Sequence, residues 1–246
     1  MNKICVKTEN LSKSFTVLER KNTTLQVLKS LLKHEPLKQT LWVLRNLSCE
    51  IKKGEKTALL GRNGCGKTTF LRLLTGIYNE TSGNVIIHGI PRVLFKSSFG
   101  LNGRITVLDN IYLLGAIHGI KRSVLDNKIE EILTNAGLND VRHALLKKLS
   151  SGQTQRLALS VFFQADGDLL IFDEALESVD LGFVQKCDDY FQRLSHSDKT
   201  IILASHHGSF LKKYCTRALW LENGTVQMHG SFDEVYPAYE RSFIKP

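Results

Sequence analysis

An α/β fold built around a parallel sheet is predicted for this chain of 246 residues. Three apolar runs indicate its central strands, at residues 56–60, 168–172 and 200–204. Each run is short and continuous, which is typical of parallel strands that are buried on both faces. Residues near 4–15 and 43–51 are expected to form an antiparallel β layer, and helices are expected to flank the parallel sheet.

A glycine-rich loop follows the first of these runs and matches G-x-x-x-x-G-K-[ST], in which backbone N–H groups surround a phosphate. A helix beginning near Lys67 would add the positive end of its dipole. Lys67 would reach the β- and γ-phosphates, and Thr68 would offer its hydroxyl to Mg²⁺. A strand–turn–helix corner that binds no phosphate would not require Lys followed by Thr at this spacing from the glycines. The predicted ATP-binding residues here are Gly61, Arg62, Asn63, Gly64, Cys65, Gly66, Lys67, Thr68 and Thr69.

Two carboxylates end the second run. Asp173 is expected to hold Mg²⁺ directly or through water, together with Thr68. Glu174, the next residue, is placed to orient and deprotonate the water that attacks the γ-phosphate. Taken alone, such a strand is equally compatible with a solvated acidic turn.

The sequence LSSGQ at residues 149–153 precedes a stretch with helical spacing of apolar residues. Serine and glycine at the start of a helix provide hydroxyl and amide donors for an anion. In isolation the same residues would be only a helix cap.

These motifs together resemble the nucleotide-binding subunit of an ABC transporter. The P-loop, the signature LSSGQ, the Walker B carboxylates, a D-loop ending at Asp180 and a switch histidine, His206, follow in the family's order. The resemblance implies a P-loop ABC ATPase fold with a parallel core sheet, an antiparallel β layer and a helical signature subdomain. It also implies one domain over residues 1–246, with the helical subdomain near 98–165.

In this family two nucleotide-binding domains pair head to tail, with ATP held between the P-loop of one and the signature of the other. The resemblance therefore implies that Ser151 and Gly152 contact the γ-phosphate across the interface. It assigns Glu174 as the base and His206 as a hydrogen-bond donor to the same phosphate. One set of motifs favours a homodimer, although a paralogous partner is also compatible.

Residues 211–224 resemble exporters of bacterial surface polysaccharides, of the O-antigen, capsule and teichoic acid types. This implies an ATPase that energises export of a polysaccharide, or of its lipid-linked precursor, through a separate transmembrane permease at the cytoplasmic face of the inner membrane. The alternatives are an exporter of a lipid or peptide and, from another class, a soluble ABC ATPase in translation or DNA repair. A P-loop nucleotide kinase is disfavoured by the signature, D-loop and switch histidine.

The glutamine that most ABC domains carry after the strand entering the helical subdomain is absent from residues 91–100. We place the equivalent turn near residues 95–97. Polysaccharide-exporting relatives often lack this glutamine, so its absence favours that subfamily.

Residues 16–41 form an insertion before the P-loop strand. Four leucines at helical spacing predict a short amphipathic helix there: Leu25, Leu28, Leu31 and Leu32. It would cover the domain's own sheet or dock on the membrane subunit. Phe15 and Trp42, at the two ends of the insertion, are candidates to stack on adenine; either could instead be a core residue, and core is expected for one of the two.

Composition agrees with a peripheral, reduced, intracellular enzyme. No run approaches the length of a membrane-spanning helix, and no signal peptide is recognised. Five cysteines without a C-x-x-C pair argue against disulfides or a zinc site. Inward N–H groups and Lys67 around Cys65 should favour its thiolate and raise its reactivity; the alternative is a small residue that merely fills the loop. The net charge of +9 is compatible with attraction to the anionic inner leaflet or with a basic surface that is only solvated. No nucleic-acid-binding motif is recognised in the sequence.

Overall fold

The computed structural model describes residues 3–18, 38–95, 100–174 and 181–243. The strands in these residues are β1 Ile4–Leu18, β2 Lys38–Lys52, β3 Lys56–Leu60, β4 Ser82–Ile87, β5 Pro91–Phe95, β6 Leu169–Asp173, β7 Thr200–Ala204, β8 Arg217–Glu222 and β9 Thr225–Ser231. The α-helices are α1 Lys67–Leu74, α2 Val107–Ile117, α3 Arg122–Asp126, α4 Ile129–Ala136, α5 Ser151–Phe162, α6 Leu181–Ser195, α7 Gly208–Tyr214 and α8 Phe232–Arg241. Two short 3₁₀ helices lie at Asn139–Val141 and Leu146–Lys148.

The larger sheet has the strand order β5-β6-β7-β3-β8-β9. Neighbours from β5 to β8 run parallel, and β9 pairs antiparallel with β8. The three apolar runs of the sequence are the adjacent strands β6, β7 and β3, which confirms the predicted parallel core. Because parallel strands end at one edge of a sheet, the loops after β3, β6 and β7 meet there.

The smaller sheet is antiparallel, with the order β2-β1-β4, which confirms the predicted β layer. Its first two strands are longer than predicted, since Phe15 pairs with Leu41 and Leu18 pairs with Lys38. Cross-strand hydrogen bonds thus extend the strands into both ends of the predicted insertion, a non-local effect that periodicity does not register. The predicted leucine-rich helix lies outside the described residues.

Each strand of the core sheet contributes to both of its faces. Ala58 and Leu60 pack in a cluster with the helices, whereas Leu59, between them, packs with α1 and the antiparallel layer. Leu44 of β2 and Phe70 of α1 are completely buried in that second cluster. The alternation follows the period-two geometry of a strand, and it fixes the antiparallel layer over the P-loop side of the sheet.

Helices α2 to α5 occupy the stretch between β5 and β6. Thr106 caps α2: its hydroxyl accepts a hydrogen bond from the backbone N–H of Asp109, and its own backbone N–H donates to the Asp109 carboxylate. A Cβ atom on Gly115 would overlap Leu125, so α2 and α3 pack closely at this glycine. None of the helices in the described part of the chain has the length and apolarity needed to cross a bilayer.

Candidate nucleotide-binding site

The loop between β3 and α1 forms the cradle that its glycines predict. Gly66 caps α1 with a φ of 110°, in the region that favours glycine. A Cβ atom there would approach the Leu44 side chain to 2.6 Å. A Cβ atom at Gly64, in contrast, would meet nothing within 4 Å. The loop is therefore packed against β2 on one side and open on the other.

A cavity of about 160 Å³ lies on the open side. Its lining residues are Val43, Arg62, Asn63, Gly64, Gly66, Lys67, Thr68, Thr69 and Glu174. Lys67 is only 7% exposed, and its Nζ atom donates to the Gly61 carbonyl at 2.7 Å and to the Arg62 carbonyl at 3.4 Å. The structure thus brings most of the predicted P-loop residues together with Glu174.

Two of the predicted loop residues, Gly61 and Cys65, do not line this cavity. The Cys65 side chain is buried beside Gly61, and burial raises the pKa of the thiol above its ordinary value, although Lys67 acts in the opposite direction. Desolvation thus disfavours the thiolate more than the nearby positive charge favours it, which fits the alternative of a small residue that fills the loop. Cys65 fills space behind the cradle.

Thr68 and Asp173 meet at the start of α1 and the end of β6. The Thr68 hydroxyl donates to Asp173 Oδ2 at 2.7 Å. Asp173 Oδ1 is buried and has no hydrogen-bond partner among the described residues. Burial raises the pKa of this carboxyl group, and the Thr68 hydrogen bond only partly offsets it. A hydroxyl beside a carboxylate oxygen that lacks a partner fits the hard oxygen ligands that Mg²⁺ prefers.

Glu174 and His206 follow the adjacent strands β6 and β7. Glu174 has a φ of 52°, uncommon for a residue with a side chain, and its backbone N–H donates to the Ala204 carbonyl at 2.9 Å. Its Oε1 atom lies 3.0 Å from His206 Nε2. The side chain of His207 is exposed, and its backbone N–H donates to the Ser205 hydroxyl.

The signature residues lie in the first turn of α5. Ser150 is the N-cap: its hydroxyl accepts from the Gln153 N–H at 3.2 Å, and its own N–H donates to the Gln153 side chain. The S-x-x-Q spacing is a capping-box signal that the sequence interpretation did not use. Ser151 is exposed, and a Cβ atom on Gly152 would meet nothing within 4 Å. Neither residue lines the phosphate cavity.

The aromatic candidates for adenine occupy different surroundings. Phe15 packs edge to face on Tyr78, with 5.4 Å between ring centroids. Trp42 is 41% exposed beside Arg45, in a separate hollow. The β2 residue that lines the phosphate cavity is Val43, which sequence reasoning missed. The D-loop with Asp180 lies outside the described residues, as does most of the turn expected to replace the glutamine.

The family model for ABC transporters matches residues 44–177. The chain belongs to the ABC transporter family. This confirms the sequence prediction of an ABC ATPase.

Curated relatives of this ABC ATPase align along most of its length. It is 31% identical over 98% of its residues to the teichoic acids export ATP-binding protein TagH of Listeria monocytogenes, covering 71% of that protein. The TagH protein of Bacillus anthracis is 33% identical over 98% of this chain, which spans 43% of it. The O-antigen export system ATP-binding protein RfbB of Klebsiella pneumoniae is 31% identical, with 81% of each chain aligned.

Solved structures confirm the ABC fold. An ATP-binding subunit of an ABC transporter superimposes with a TM-score of 0.73 at 18% identity, covering 96% of this chain and 93% of the other. A dimeric ATP-binding cassette in a post-hydrolysis state, bound to ADP and Pi, gives a TM-score of 0.71 at 20% identity, covering 92% and 98%.

Proposed function

We propose that this ABC ATPase binds and hydrolyses Mg-ATP to drive export of a bacterial surface polysaccharide, or of its lipid-linked precursor, through a separate transmembrane permease. ATP hydrolysis is supported mainly by the position of Glu174, which lines the P-loop cavity. Its Oε1 atom lies 3.0 Å from His206 Nε2. The substrate class is supported by relatives named for teichoic acid and O-antigen export.

The residues present fit each part of a phosphoryl transfer to water. The backbone N–H groups of the P-loop and the Lys67 ammonium would hold the β- and γ-phosphates, which positions the γ-phosphorus beside Glu174. Thr68 and Asp173 would hold Mg²⁺, which supplies charge neutralisation at the phosphate oxygens when it is bound.

Glu174 would take the proton of the attacking water. His206, fixed against the same carboxylate, would orient Glu174 and hydrogen-bond the γ-phosphate. Because the two side chains follow neighbouring strands, the sheet itself holds base and histidine in register.

The site is completed by a second copy of the chain in this proposal. Ser151 and Gly152 are accessible at the N-terminus of α5 but do not line the cavity of their own chain. Backbone amides at the N-terminus of a helix favour an anion, and Ser151 and Gly152 lie at such a terminus within reach of solvent, which supports a head-to-tail homodimer. Asp180 would contribute to the same interface. We further propose one ABC domain over 1–246, with its helical subdomain near 98–165.

The permease partner would place the ATPase at the cytoplasmic face of the inner membrane as a peripheral subunit. A net charge of +9 supports this location, since anionic lipids attract basic surfaces.

The deciding experiment measures oligomeric state by light scattering for a Glu174→Gln variant with and without Mg-ATP, beside the ATPase rate of the wild type. We expect an ATP-dependent dimer of the variant, with hydrolysis reduced by at least about 100-fold. Glu50→Gln, which removes an exposed carboxylate on β2, is the matched control and should keep wild-type activity. Wild-type hydrolysis by Glu174→Gln would contradict the assignment of the base.

A further inference from the structure

Helix α8, near the end of the described chain, touches two loops of the ATP site that are distant in sequence. It is anchored on the core by Phe232 and Val235, which are 4% and 0% exposed. Tyr236 and Tyr239 follow at helical spacing, and Phe243 comes just after the helix. The catalytic roles proposed above make no use of these aromatic residues.

The first contact is with the P-loop. Arg62 Nη2 donates to the Ser242 carbonyl at 3.0 Å, and the guanidinium lies 4.8 Å from the centre of the Phe243 ring. The Phe243 ring packs edge to face on Tyr239, with 4.9 Å between the ring centroids. The side chain of Arg62 is thus held by residues 180 and 181 positions away.

This contact bears directly on Lys67. The Lys67 ammonium donates to the carbonyls of Gly61 and Arg62, and Arg62 is the residue whose side chain Ser242 and Phe243 contact. Restricting Arg62 in this way restricts the loop that carries the ammonium to the cavity. Pre-organisation of this kind lowers the ordering cost of binding a ligand.

The second contact is with the loop that carries His206. Gly208 begins α7 two residues after the histidine. A Cβ atom on Gly208 would overlap the Tyr236 hydroxyl, so α8 and the start of α7 are packed as closely as glycine allows.

We propose that α8 and Phe243 form a positioning strut for the ATP site, in which Phe243 and the Ser242 carbonyl hold Arg62, and Tyr236 holds the start of α7. Arg62 and Tyr236 are positioning residues: the first sets the affinity for ATP through the P-loop, and the second sets turnover through the switch loop. The kinetic part rests on the proposed ATPase function.

The P-loop contact is tested by a double-mutant cycle on the dissociation constant of Mg-ATP, measured by calorimetry. Phe243→Ala should weaken ATP binding about three-fold, in line with the strength of an exposed cation–π contact. Arg62→Ala should weaken it at least as much, and the double variant should bind no more weakly than Arg62→Ala. Ile90→Ala is the matched control, since Ile90 is 52% exposed and Phe243 is 53% exposed. Ile90 precedes β5 at the opposite edge of the sheet, and its variant should bind ATP normally.

Multiplicative effects of the two substitutions, or an unchanged dissociation constant in Phe243→Ala, would overturn the P-loop half of the proposal. The cycle measures ATP binding and does not depend on hydrolysis. A wild type that binds ATP without hydrolysing it would therefore contradict only the proposed function, and the cycle would still test the P-loop contact. A wild type that does not bind ATP contradicts both.

The switch-loop contact is tested by rescue. Gly208→Ala should lower kcat about ten-fold with little change in the dissociation constant, because the new methyl group pushes α7 away from α8. Adding Tyr236→Ala removes both the hydroxyl and the ring carbon that the new methyl group would overlap, and it should restore kcat to within about two-fold of Tyr236→Ala alone. Thermal melting of each variant separates this effect from unfolding. A Gly208→Ala variant with full kcat, or one that Tyr236→Ala does not rescue, would overturn this half.

Discussion

Glu174 Oε1 lies 3.0 Å from His206 Nε2, and the Glu174 backbone N–H donates to the carbonyl of Ala204, two residues before the histidine. The two residues are therefore joined at both main chain and side chain. Since β6 and β7 are paired along their whole length, movement of one residue requires movement of the other strand. The carboxylate proposed as base is held by the sheet as well as by its own loop.

Replacing His206 by alanine should lower kcat by about 10- to 100-fold, because Glu174 loses the partner that orients it. ATP affinity should fall by less than kcat, since His206 would make one γ-phosphate contact and does not line the P-loop cavity that would hold the other phosphate contacts. Steady-state phosphate release and ATP calorimetry measure the two quantities. His207→Ala is the matched control, because its side chain is exposed and should leave kcat intact. Equal losses in both variants would show that the loop as a whole, and not His206, is required.

Asp173→Asn should have opposite effects on the ligand-free and ligand-bound protein. Burial raises the pKa of Asp173, which indicates that its ionised form is disfavoured in the fold. Removing the charge should raise the Tm of the ligand-free protein by about 2–4 °C, the change that about 1 kcal/mol produces at this size. The Tm increase caused by Mg-ATP should disappear.

Differential scanning calorimetry with and without Mg-ATP checks both effects. Asp140→Asn, on a short surface helix, should alter neither Tm. A lower ligand-free Tm in Asp173→Asn, together with a retained Mg-ATP effect, would argue against Asp173 as a magnesium ligand.

His118 should make the protein sensitive to acid. The residue is 5% exposed, and burial, with a smaller effect of Arg92, lowers the pKa of its ring to about 4. Because the folded pKa lies below the ordinary value of about 6.5, this contribution to stability is complete above pH 6.5 and is lost as the pH falls towards 4. The loss in unfolding free energy should reach about 3 kcal/mol at pH 4.

Urea unfolding between pH 7.5 and pH 4 measures this dependence. His118→Gln should flatten the curve over this range, whereas His143→Gln, which replaces an exposed histidine, should keep the wild-type slope. An unchanged slope in His118→Gln would assign the acid sensitivity to other groups.

Cys65 should be labelled slowly by N-ethylmaleimide at pH 7.5, at least about ten-fold more slowly than a free thiol. The residue is 6% exposed, and its raised pKa leaves little thiolate at neutral pH. Intact-mass measurements over time should show faster labelling as the pH rises above 9. All five cysteines are buried in the fold and should react within minutes in urea. Rapid labelling of native Cys65 that ATP blocks would instead support an activated thiolate.

The central sheet could be predicted because its strands are short apolar runs next to recognisable loops. The residues of β3, β6 and β7 are mainly apolar, which predicts buried strands. The motifs that follow these strands indicate that their carboxyl ends lie at the same edge of the sheet. The lengths of β1 and β2 could not be predicted in the same way, since pairing such as Leu18 with Lys38 depends on two segments separated by the insertion.

The site shows the same division between local and distant information. Lys67, Thr68 and Asp173 were found because their motifs encode their geometry. The contact of Arg62 with Phe243, and the burial of His118, carry no local pattern and emerge only from tertiary packing. Cys65 shows the same division, because its neighbours in sequence favour a thiolate, whereas burial in the fold raises the pKa of its thiol.

Strand β2 separates two compartments of the molecule. Val43 forms part of the wall of the phosphate cavity, while Trp42, one residue earlier, lines a different hollow on the hairpin with β1. Leu44, which is completely buried, anchors the strand immediately after them. Val43 therefore lies between this anchor and the start of β2 at Lys38. A displacement of β2 near Lys38 would reach the wall of the P-loop cavity through Val43.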